Sequence, residues 1–70
     1  MEITYDKKAD AMYIKLRDGE FHSNKKIDDY MIIDLDKDGN LLGIELLWVS
    51  ERIPAESLSN IHVKNILVTE

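Results

Sequence analysis

The sequence predicts an α+β domain: an antiparallel β-sheet of four or five strands, containing two hairpins, followed by one short C-terminal helix. Three observations predict it. Apolar residues recur with a period of two before Pro54, an Asp-Gly corner separates two such runs, and the only proline marks where the alternation stops.

The clearest strand is Asp10 to Arg17, where Met12, Ile14 and Leu16 point one way and Ala11, Tyr13, Lys15 and Arg17 the other. Tyr30 to Asp36 places Met31, Ile33 and Leu35 on one face. Leu41 to Trp48 does the same with Leu42, Ile44, Leu46 and Trp48. Closing the connection between these runs at Asp38-Gly39 sets Leu35 opposite Leu42, Ile33 opposite Ile44 and Met31 opposite Leu46. A one-residue slip would break all three apolar matches. At the amino terminus a turn at Lys7-Lys8 pairs Ile3 with Met12 and Met1 with Ile14. Asp18-Gly19-Glu20 is turn-like, and Ser23 to Asp28 reads as a polar edge strand whose lysines discourage edge-to-edge pairing. After Pro54, the segment Ala55 to Asn60 predicts a helix of about two turns with proline at its first position. The Val- and Ile-rich stretch His62 to Thr69 reads as a strand.

Seventy residues make one domain, 1–70, with one core. A domain of this size buries only about 60% of the surface its unfolded chain exposes. With no cysteine, neither a disulfide nor a thiolate zinc site can reinforce it, which leaves self-association or a hard-metal site, and self-association as a homodimer is the expectation. Fourteen acids against nine bases give a net charge of −5, which argues against a phosphate-binding surface and against a nucleic-acid partner. Lys7-Lys8 and Lys25-Lys26 read as solvated turn and edge residues. The longest apolar run, Leu46 to Val49, is far short of the roughly 20 residues needed to cross a bilayer, and no leader pattern opens the chain. A cytoplasmic protein without a membrane role is the expectation.

Asp34, Asp36, Asp38 and Glu45, with Gly39, match the carboxylate and glycine positions of a twelve-residue calcium loop. That loop needs a helix on each side, whereas the flanking segments alternate as strands, and its ninth position is Leu42. In a hairpin Glu45 lies opposite Ile32 and the acids do not converge. The alternative reading kept from this match is a divalent-cation-binding module using Asp34, Asp36 and Asp38. His22 and His62 have no nucleophile or cysteine near them in sequence, so no catalytic residue, cofactor or enzymatic activity is expected.

A second face of the strands, carrying Ala11, Tyr13, Tyr30, Ile32, Leu41 and Leu47, is too apolar to stay wet. Together with the aromatic Trp48 it identifies Tyr13, Tyr30, Ile32, Leu47 and Trp48 as the candidate protein interface, for a second copy or another protein. The functional expectation is a noncatalytic protein-interaction module.

Two blocks of sequence carry a resemblance. Tyr5-Asp6 with Asp10-Ala11-Met12-Tyr13-Ile14, and Asp34-Leu35-Asp36-Lys37-Asp38-Gly39-Asn40-Leu41-Leu42-Gly43-Ile44-Glu45, are distinctive together. Over residues 3 to about 50 the chain resembles the small prokaryotic domain-of-unknown-function family 2283. The resemblance implies a compact β-rich domain with a short helix, no assigned reaction and no catalytic residues. It also implies a candidate antitoxin-like role beside a small basic protein of the ribonuclease type. For such a partner the expectation drawn from the charge of this chain is occlusion by acids such as Asp28, Asp29 and Glu45 around an aromatic anchor. Leu47-Trp48-Val49 departs from the family's usual smaller or acidic residues and points to an altered interface.

Overall fold

The computed structural model describes residues 1–64, and the expected strand His62 to Thr69 falls largely on residues outside that range. His62 to Lys64, which are described, belong to no strand or helix. Five strands, β1 (Glu2–Asp6), β2 (Ala11–Lys15), β3 (Ser23–Lys26), β4 (Met31–Leu35) and β5 (Leu41–Leu47), form one sheet in the order β1-β2-β5-β4-β3. Every neighbouring pair is antiparallel. Both predicted hairpins are present, β1-β2 and β4-β5, and the contact between β2 and β5 joins them.

The β1-β2 register differs from the expected one by two residues: Ile3 faces Ile14, and Tyr5 faces Met12. The connection is longer than a Lys7-Lys8 turn because Asp6 and Asp10 build it. Asp6 Oδ1 accepts hydrogen bonds from the backbone N–H of Lys8 (3.0 Å) and Ala9 (3.1 Å). Asp10 takes a left-handed backbone with φ 52°, a conformation that aspartate tolerates better than most residues.

In the β4-β5 hairpin Ile33 faces Ile44 and Met31 faces Leu46 as expected, but Leu35 faces Leu41 instead of Leu42. Gly39 has φ 82°, the Asp36 N–H donates to the Asn40 carbonyl (3.0 Å), and the Gly39 N–H donates to the Asp36 carbonyl (3.0 Å). The loop therefore closes around three residues with glycine in the left-handed position. The register then shifts between Asp34 and Leu35, leaving Leu42 as the extra residue of a bulge.

Two short helices follow where one was expected. α1 (Val49–Arg52) precedes Pro54, and α2 (Ala55–Leu58) follows it. Pro54 stands at the N-cap of α2 with extended backbone, one place before the expected first helical position. The chain enters α1 through Trp48, whose backbone is left-handed (φ 54°, ψ 42°), so β5 ends at Leu47. A strand cannot continue through that conformation.

The sheet has two unlike faces. One carries Ile3, Ile14, Ile44 and Ile33 in register across four strands, with Met12, Leu46 and Met31 in the next row. This is the isoleucine face. The other, the mixed face, interleaves Tyr13 and Ile32 with Glu45, and Lys15 with Gly43 and Asp34. Among the described residues the buried hydrophobic side chains are Met12, Leu42 and Val49. Leu42 lies beneath the loop after β2, since a Cβ added to Gly19 would stand 2.5 Å from Leu42 Cδ2.

Candidate interaction site

Two left-handed residues meet at one knot. The Val49 N–H donates to the Asp10 carbonyl at 3.0 Å, and the Ser50 hydroxyl and N–H donate to the Asp10 carboxylate at 2.7 and 3.0 Å. The Tyr5 hydroxyl donates to the same carboxylate at 2.8 Å. Asp10, forty residues away in sequence, thus satisfies the amides that open α1, and it ties the first hairpin to the end of β5. These hydrogen bonds, those from Ser50 foremost, hold the Asp10 carboxyl below its ordinary range. The same bond to Asp10 raises the Tyr5 phenol above its ordinary value.

The knot fixes where Trp48 points. Its side chain is 56% exposed and borders a shallow depression with Asp29, Tyr30 and Glu51. Tyr30 continues the patch: its ring lies 4.3 Å from the Arg52 guanidinium carbon, and its N–H is held by Asp28 Oδ1 at 2.7 Å. Leu47 lines a neighbouring groove with Tyr30, Met31, Leu46, Val49 and Arg52. Of the five candidate interface residues, the structure brings Tyr30, Leu47 and Trp48 together at this end of the sheet.

Tyr13 and Ile32 lie on the mixed face, each paired with Glu45, one register row from Leu47 and Tyr30. Tyr13 is half-buried and lies over Gly43, so closely that a Cβ on Gly43 would overlap its hydroxyl and Cζ. Burial first, and then the nearby Asp34 carboxylate, raise its phenol above the ordinary value. Glu45 lies between Tyr13 and Ile32, while Asp28 and Asp29 lie beside the aromatic end, so the three acids expected around one anchor are divided between two places.

The acids of the Asp-Gly hairpin do not converge. Asp36 Oδ1 accepts the backbone N–H of Asp38 (2.9 Å) and Asn40 (2.8 Å), and Oδ2 accepts the Asn40 side-chain amide (3.0 Å). Those bonds hold the Asp36 carboxyl below its ordinary range. Asp34 is on β4 opposite Gly43, and Glu45 is opposite Ile32, away from the tip. Among the described residues no three histidine, aspartate or glutamate side chains gather at metal-binding distance.

Asp10, Ser50 and the left-handed Trp48 are the features that sequence reasoning missed. Asp10 lies in the first motif block, but nothing local identifies Ser50 as its partner. The model of a family described as protein of unknown function (DUF2283) matches residues 2–50. The chain belongs to this family. No curated protein and no solved structure matches it. In this DUF2283 member the motif residues have structural roles: Tyr5, Asp6 and Asp10 build the turn and the knot, and Asp36, Gly39 and Asn40 build the second hairpin. Trp48 stands near the end of the matched segment, and α2 lies beyond it.

Proposed function

We propose that this domain is a noncatalytic protein-interaction module that presents Trp48, within an acidic rim, to a basic protein surface. The observation that carries this reading is a tryptophan 56% exposed on left-handed backbone. Left-handed backbone costs about 1–2 kcal/mol for a residue with a side chain, and such strain persists where the surroundings over-determine it, often at functional sites. Exposed aromatic anchors are the commonest energetic centres of protein interfaces.

The rim supports the choice of partner. Asp29 and Glu51 border Trp48 and Asp28 stands beside Tyr30; Lys26 pairs with Asp29 at 3.2 Å and Arg52 lies over Tyr30, and the chain as a whole carries −5. Acidic charge of this kind steers a basic protein into contact and disfavours acidic ones. An antitoxin-like partnership with a small basic protein fits these features, with inhibition by occlusion and no reaction. Among the described residues no helix is long and apolar enough to cross a membrane, and the setting we propose is the cytoplasm.

Co-expression with the product of the adjoining gene, copurification and calorimetry test the proposal. The expected result is a basic neighbour whose binding weakens by at least about thirtyfold in Trp48→Asn, the size of a hot-spot loss. Asparagine accepts left-handed backbone, so this variant keeps the fold. A neighbour that is neither basic nor bound removes the antitoxin reading, and unchanged binding by Trp48→Asn removes the Trp48 site.

A further inference from the structure

We infer that the isoleucine face is the interface of a symmetric homodimer, two copies packed sheet to sheet with their isoleucine rows against each other. This is the face opposite the one bearing Tyr13 and Ile32. Ile3, Ile14, Ile44 and Ile33 stand in one line across β1, β2, β5 and β4, and all four are only half-buried. Ile14, Ile44 and Ile33 lie on strands with a neighbour on each side, so their exposure comes from the missing layer above the sheet. A sheet with an apolar face needs a second layer over it. Among the described residues cover reaches only parts of that face. Val49 and Ile53 gather near Met31 and Leu46, and the Gly19 loop covers Leu42.

Size and charge are compatible with a second copy as the missing layer. The sheet has five strands of four to seven residues. At about 4.8 Å between strands and about 3.3 Å per residue its face is on the order of 500 Å². Two such faces bury about 1,000 Å² in all, the lower end for a specific interface. Along the isoleucine row the formal charge is Lys25, at the β3 edge, whereas Lys15, Lys26, Asp34 and Glu45 are on the mixed face. A chain of charge −5 can therefore meet its own copy here without bringing acids together. The acid at the margin of this face, Asp10, already accepts hydrogen bonds from Tyr5 and Ser50. Two twisted sheets related by a twofold axis stack about 10 Å apart with side chains interdigitated, and an isologous patch is self-complementary by construction.

Sedimentation equilibrium and isotope-filtered NMR on the full chain test this. The expected mass is twice 8.1 kDa at micromolar concentration, with intermolecular contacts between the methyl groups of Ile14 and Ile44. Ile44→Lys is expected to raise the dimer dissociation constant by about a hundredfold or more. If that variant fails to fold, the contacts in the unaltered chain decide the matter. A monomer that unfolds cooperatively at micromolar concentration overturns the inference. So does a dimer whose contacts fall on Tyr13 and Ile32, or a row covered by residues 65–70 of the same chain. Trp48→Asn leaves the dimer mass unchanged, so loss of the dimer and loss of the basic partner are read separately.

Discussion

Replacing Gly43 with alanine drives a methyl group into the ring of Tyr13. The added Cβ would overlap the Tyr13 hydroxyl and Cζ and would stand 2.9 Å from the Ile14 carbonyl oxygen. Real Cβ atoms are not found that close to backbone, so either the ring swings off β5 or the strands part. Overpacking of this kind costs about 1–3 kcal/mol. Alanine recovers about 0.5–1 kcal/mol over glycine inside a strand by losing less backbone freedom on folding. The net loss is about 1–2 kcal/mol, which in a domain of this length lowers Tm by roughly 5–15 °C. Thermal melts of wild type, Gly43→Ala, Tyr13→Ala and the double variant measure it, at one fixed protein concentration because an associating chain has a concentration-dependent Tm. With the ring removed, the alanine meets only the Ile14 carbonyl, so the double variant is expected to be more stable than the sum of the singles predicts by at least about 0.5 kcal/mol. A Gly43→Ala protein as stable as wild type, or strict additivity with Tyr13→Ala, would refute the placement of Tyr13 over β5.

Two further outcomes follow from the carboxylates. Asp10, Asp18 and Asp36 are all held below their ordinary range, by hydrogen bonds from Ser50, Lys15 and Asn40 respectively. A depressed folded-state pKa contributes stability above the unfolded value, about 3.9, and loses it as pH falls through the folded value. Melting temperature should therefore be level from neutral pH to about pH 5 and fall below it. Asp10→Asn should lower Tm at pH 7 and flatten part of the acid slope. Indifference of the wild type between pH 5 and pH 2 would count against these bonds. Because both oxygens of Asp36 already accept amide donors, millimolar calcium or magnesium should leave Tm and the heat of mixing unchanged. A rise of several degrees would restore the cation reading.

Much of the fold is legible because strand alternation has a period of two and each hairpin is local. Met12, Ile14, Ile33, Ile44 and Leu46 fall on one face, as the pattern requires. Where the register was misread, the error has a definite physical form. In β1-β2 the slip is two residues, and an even slip leaves every side chain on its own side, so hydrophobic pattern cannot detect it. The capping by Asp6 and the left-handed Asp10 decide it instead. In β4-β5 an Asp-Gly pair allows both a two-residue loop and a three-residue loop with a bulge. The Asp36 carboxylate, enclosing the amides of Asp38 and Asn40, selects the second.

The candidate site was legible only in its parts. Sequence singled out Tyr30, Leu47 and Trp48 as aromatic or apolar residues without a core to enter, and the structure sets them at one end of the sheet. Tyr13 and Ile32 carry the same signal, and cross-strand pairing puts them beside Glu45, in the row next to Leu47 and Tyr30.

The sequence by itself determined the class of the domain, the strands, which residues share a face, and the absence of any cysteine staple, because each of these follows from local periodicity and composition. Only the tertiary structure decided that Asp10 reaches Ser50, that Trp48 is turned outward on left-handed backbone, and that among the described residues the isoleucine row is left without a layer above it. Those three depend on contacts between segments distant in the chain. Their energies come from pairing, strain and burial that no window of neighbouring residues contains.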